Sequence, residues 1–110
     1  MQDKSEAAAE ARIRKIKGQI AALGPMRPGL LSVQYKDAEQ RRGAYRQVSY
    51  TFQRRSRTDY VRAADLPRIR RELANYARFR QLCERLVAES LALSKLRSAA
   101  SPGRRGKASE

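Results

Sequence analysis

The chain contains no histidine, no tryptophan and a single cysteine, Cys83, among 110 residues. These absences remove whole classes of chemistry. A zinc site of Cys and His ligands cannot be assembled within one chain, a Ser-His or Cys-His nucleophile pair cannot exist, and no intrachain disulfide can form. Carboxylates are scarce as well, with 11 Asp and Glu against 25 Lys and Arg. Asp59 and Asp65 are too isolated to make a carboxylate pair, and Asp37 and Glu39 fall in one charged loop. No glycine-rich phosphate loop or metal-ligand spacing occurs. The sequence therefore predicts a protein that is not an enzyme and takes no metal or other cofactor. It also lacks any apolar run of about 18 residues and any signal-peptide core at its charged, alanine-rich N-terminus. A cytoplasmic, nucleoid-associated protein with no membrane partner is expected.

What the chain has in excess is arginine: 19 Arg and 6 Lys, for a net charge of +14. A balance this one-sided costs self-repulsion that a polyanion would relieve. Arginine's planar fork suits phosphate oxygens and guanine edges, which favours nucleic acid over an anionic membrane surface or an acidic protein.

The longest patterned stretch runs from Asp65 to Arg97, where Leu66, Ile69, Leu73, Tyr76, Phe79, Leu82, Leu86, Leu93 and Leu96 recur at steps of three, four and seven. Asp65 reads as an N-cap and Pro67 falls in the first turn, where a missing donor costs little. Ser101-Pro102-Gly103 stops the pattern. Such a helix would be roughly 50 Å long, against a globule of about 25 to 30 Å for a chain of this size. Half of its apolar stripe would then lack cover, so Leu73, Tyr76, Phe79, Leu82, Leu86 and Leu93 are read as an oligomerisation seam and a homodimer is expected. Cys83 lies beside that seam and reads as a small buried hydrophobe.

Residues 1–23 predict a first helix, with Ala9, Ile13, Ile16, Ile20 and Leu23 at heptad spacing and Ser5 as a cap. Its apolar strip is barely two heptads long, so the helix needs the long helix or a second copy of itself for support. Gly24-Pro25-Met26-Arg27-Pro28-Gly29 ends it. Leu30–Lys36 then reads as a short strand and Asp37–Gly43 as a loop. Ala44–Phe52 is the clearest strand, with Val48, Tyr50 and Phe52 on one face and Gln47, Ser49 and Thr51 on the other. A tight basic connection over Gln53–Ser56 leads to a third strand, Arg57–Arg62. The fold class is α+β: an N-terminal helix (1–23), a small basic three-stranded antiparallel sheet (24–64) and a long C-terminal helix with a coiled-coil-like seam (65–97). Leu66, Ile69 and Leu73 are the expected cover for one sheet face. Residues 98–110 are expected to form a disordered basic tail.

The sheet region is the most one-sided part of the chain, with nine basic and three acidic groups between 24 and 64. Arg41, Arg42, Arg46, Arg54, Arg55, Arg57 and Arg62 lie there, together with Tyr45, Tyr50, Phe52 and Tyr60. A two-stranded ribbon fits the major groove and an arginine-tipped hairpin can enter a minor groove. Aromatics beside arginines would equally suit stacking on a single strand. These seven arginines are the candidate nucleic-acid contacts, with duplex DNA favoured. The alternative is an adaptor whose long helix docks on a larger protein.

An ordered set of segments resembles a family of small bacterial proteins found near transposases and other mobile-element genes. The segments are Leu-Gly-Pro at 23–25, Pro-Gly-Leu-Leu-Ser-Val-Gln-Tyr at 28–35, Gly-Ala-Tyr-Arg-Gln-Val-Ser-Tyr at 43–50, Arg-Thr-Asp-Tyr-Val at 57–61 and Leu-Ala-Asn-Tyr-Ala-Arg-Phe-Arg at 73–80. Members of that family carry a cysteine knuckle followed by His-Gly-Pro-Tyr-Tyr between the first two strands. Here residues 36–45 have neither Cys nor His, and only Gly43 and Tyr45 remain of that pattern. The resemblance implies a context, mobile DNA and a partner such as a recombinase, transposase or other DNA-processing enzyme, and no metal chemistry.

Overall fold

The computed structural model describes residues 5–101. Its elements run α1 (Glu6–Ala21), β1 (Leu30–Asp37), β2 (Arg42–Phe52), β3 (Arg55–Val61), a 3-10 turn at Ala63–Asp65 and α2 (Leu66–Ala100). This is the α+β order expected from the sequence. No helix among the described residues is long and apolar enough to cross a membrane. The chain packs as two units, residues 23–79 and the pair of segments on either side of it.

In the unit formed by residues 23–79, the strands make an antiparallel meander in the order β1-β2-β3. Leu31 lies opposite Val48, and Val48 opposite Asp59, so these residues share one face of the sheet. That face carries the core: Val48, Val61 and Ile69 are buried, with Leu31, Tyr50, Leu66 and Leu73 packed around them. The first turns of α2 thus provide the cover that Leu66, Ile69 and Leu73 predict. The segment before β1 is pinned to α2 by the Arg27 amide donating to the Glu72 carbonyl and by Asn75 Nδ2 donating to the Pro25 carbonyl. Gly29 sits at φ 136°, and a Cβ there would fall 2.4 Å from Val48 Cγ1. Only glycine serves where the strap turns down onto the core.

The other unit pairs α1 with the C-terminal part of α2, from Arg80 on. Ser5 caps α1 by accepting from the Ala8 amide at 3.1 Å. The two helices run antiparallel, tied by Arg12 to Glu89 and by Arg97 to Glu10 and Glu6. Along this contact Ala9, Ile16, Leu82 and Leu93 are buried.

Several sequence expectations are corrected. The C-terminal half of the α2 stripe does not lack cover within the chain: α1 folds back along it, and Leu82 is 0% exposed and Leu93 7%. Of the other seam residues, Leu73 packs against the sheet core, the Tyr76 and Phe79 rings sit 6.5 Å apart, and Leu86, like Cys83, is half-buried. The helix continues through Ala100, so 98–100 belong to it, because Ser98, Ala99 and Ala100 carry nothing that breaks a helix; the tail expected over 102–110 lies outside the described residues. Of the first helix, 1–4 also lie outside them, and the helix ends at Ala21. The Asp65 carboxylate, read as a cap, is held by Arg62 at 3.1 Å and Arg68 at 3.7 Å. Both hairpin loops are shorter than expected, residues 38–41 and Gln53–Arg54, because the ladder draws Asp37, Arg42, Arg55 and Ser56 into strands. Arg62 falls just beyond β3.

Candidate nucleic-acid interface

Local sequence sets the β2–β3 hairpin. Val48, Tyr50 and Phe52 alternate on the core-side face of β2, and the register places Tyr50 opposite Arg57, Thr51 opposite Ser56 and Phe52 opposite Arg55. Only Gln53 and Arg54 remain to close the turn, and both take positive φ, 52° and 67°. Two consecutive positive-φ residues are the mark of a type I′ turn, whose hand matches the strand twist and which normally holds Asn-Gly. Gln-Arg is an uncommon and strained occupant. The turn lifts the Arg54 side chain to the end of the ribbon, while Arg55 and Arg57 follow on the core-side face. All three are exposed, and Phe52 beside them is 59% exposed.

The seven candidate arginines do not form one patch. Arg54, Arg55 and Arg57 cluster at the β2–β3 end. Arg41 and Arg42 belong to the β1–β2 end, and β2, at 11 residues, separates the two ends by about 34 Å. Arg46 is half-buried at mid-strand between Val33 and Val61. Arg62 donates from Nε to Asp65 Oδ2 at 3.1 Å, so its charge is partly committed.

Ion pairing separates structural from available cations. Among the described residues Arg12, Arg27, Arg62, Arg68 and Arg97 pair with carboxylates. Arg54, Arg55 and Arg57 pair with none, and the chain has no Asp or Glu from 40 to 58. Arg68 is held above the ordinary guanidinium value, chiefly by its hydrogen bond to Glu72 and by the charge of that carboxylate.

Arg27 was absent from the sequence candidates. It lies in the Gly/Pro-rich strap, where no periodicity marks it, yet its guanidinium stacks 4.9 Å from the Tyr50 centroid and donates to Asp59 Oδ2 at 2.8 Å. It braces the base of the hairpin, and a shallow groove lined by Arg27, Pro28, Tyr50, Phe52 and the carboxylate residues Asp59 and Glu72 runs beside it. In comparisons with known proteins, no family model, no curated protein sequence and no solved structure matches the chain.

Proposed function

We propose that this chain is a non-catalytic nucleic-acid-binding accessory protein that sets its β2–β3 hairpin in a groove of duplex DNA. The observation that carries the reading is the hairpin end itself: three exposed arginines without carboxylate partners, on a two-stranded ribbon narrow enough for a major groove about 12 Å wide. Phosphate contacts would supply most of the affinity and make it strongly salt-dependent. A place beside a recombinase, transposase or other DNA-processing enzyme is part of the proposal. Titration of duplex DNA with the wild type and with Arg54→Ala/Arg55→Ala/Arg57→Ala tests it. Binding should fall by more than about tenfold in the triple variant, and equal affinity would refute the hairpin's role.

A second reading, the protein-docking helix, is favoured by Val87 and Leu91, which stand one turn apart on α2 at 65% and 54% exposure. With Leu82 and Leu93 already covered, a homodimer or a larger partner would use this pair. Leu91→Asp should then reduce the mass in solution to that of one chain, whereas an unchanged mass removes Leu91 from any self-association.

A further inference from the structure

The uncovered face of the sheet is a polar and aromatic surface with one cation, Lys36. Opposite residues in an antiparallel ladder share a face, so this one takes the even-numbered residues of β1 and β3 and the odd-numbered residues of β2. None of them is buried, and none is Asp or Glu. Tyr45 and Tyr60 stand diagonally across β2 and β3, with ring centroids 6.4 Å apart and planes inclined by 41°. Tyr60, on the edge strand β3, is 69% exposed. A groove beside the rings is lined by Lys36, Gly43, Ala44, Tyr45 and Tyr60. Gly43, at φ 70°, leaves room for the Lys36 stem, which a Cβ there would meet at 3.1 Å. Amide groups complete the surface: Gln34 lies opposite Tyr45, and Gln47 opposite Tyr60.

We infer that this face binds single-stranded DNA, with two successive bases stacked on Tyr45 and Tyr60 and the intervening phosphate met by Lys36. An exposed ring, Tyr60, beside a half-buried one, Tyr45, flanked by a cation and free of carboxylates, matches the stacked bases and backbone charge of an unpaired strand. A duplex offers no base faces to such a surface, and an acidic protein would leave both rings without a flat partner. The site lies on the strands of the same hairpin but shares no residue with its arginine-bearing end. Only the choice of DNA over RNA rests on the duplex reading above, since a strand opened from that duplex is the one the protein would meet.

The test is a titration of oligothymidylate, oligouridylate and duplex DNA with the full chain, followed by anisotropy of the labelled strand and by tyrosine emission, the chain having no tryptophan. Oligothymidylate should bind and quench the tyrosine signal. Tyr60→Ala and Tyr60→Leu should each weaken it roughly tenfold, because stacking needs a ring and not bulk. Tyr60→Phe should bind as the wild type does, and duplex affinity should be unchanged in all three. If Tyr60→Leu binds oligothymidylate as well as the wild type, or Tyr60→Phe as poorly as Tyr60→Ala, the stacking site is wrong; binding of oligouridylate alone overturns the assignment to DNA. The arginine triple variant separates the two sites: it should lose duplex affinity but keep the tyrosine quenching by oligothymidylate. Ring-dependent strand binding without duplex binding would sink the hairpin reading and leave this one standing.

Discussion

Gln53 and Arg54 hold the backbone at positive φ with side chains that disfavour it. Residues forced into this region cost of order 1 kcal/mol each or more. Replacing them by Asn and Gly should therefore raise the midpoint of thermal unfolding by roughly 4 to 8 °C. The same change removes the Arg54 guanidinium, so duplex affinity should fall while stability rises, which a paired melting and binding experiment would reveal. At Gly29 the sign is opposite. A Cβ placed 2.4 Å from Val48 Cγ1 and 3.0 Å from the Ser49 carbonyl must displace the strap, and Gly29→Ala should destabilise by about 2 to 3 kcal/mol in urea denaturation. Arg27→Ala loses both the Tyr50 stack and the Asp59 pair; with Asp59 half-open to water, about 1 to 2 kcal/mol is expected. Gln53, Arg54 and Arg27 are not legible in the sequence as points of strain or support. Arg54 and Gln53 look like ordinary polar loop residues, and Arg27's partner lies 32 positions away.

At the scale of elements, periodicity carries far. Alternation in β2 predicts which residues face the core, and the three- and four-residue steps of α2 predict a helix that does form, from Leu66 to Ala100. Periodicity says that a face is buried and leaves open what buries it. The α2 stripe reads equally as a seam for another chain or as a seat for α1. In the fold α1 takes the seat by burying Ala9 and Ile16 beside Leu82 and Leu93, with ion pairs spanning 77 to 91 positions, Arg12 with Glu89 and Arg97 with Glu10 and Glu6, which no local pattern reveals. Leu82, fully buried on this contact, should cost about 2 to 4 kcal/mol when cut to Ala, and exposed Leu91 less than about 0.5 kcal/mol. Equal losses in chemical denaturation would mean that Leu91 is also covered, by a second copy or by α1. The loop lengths are not legible for a related reason. Arg55 and Ser56 have little strand preference of their own, and the cross-strand register with Phe52 and Thr51 takes them into β3.

For the molecule as a whole, the net charge of +14 points toward a polyanion but does not say where contact falls. Arginine content alone gathers seven residues into one site. The fold divides five of them between two hairpin ends, half-buries Arg46 at mid-strand, commits Arg62 to Asp65 and leaves Arg54, Arg55 and Arg57 together without carboxylates. The sheet adds a face of tyrosines that charge counting overlooks. The central claim, that the β2–β3 hairpin meets DNA phosphates, is tested most directly by measuring duplex affinity at several salt concentrations for the wild type and the Arg54, Arg55 and Arg57 triple alanine variant. Each phosphate contact contributes about 0.9 to the slope of log affinity against log salt, so the triple variant's slope should be shallower by about 2 to 3. Parallel lines for the two proteins would place the DNA contact elsewhere on the molecule.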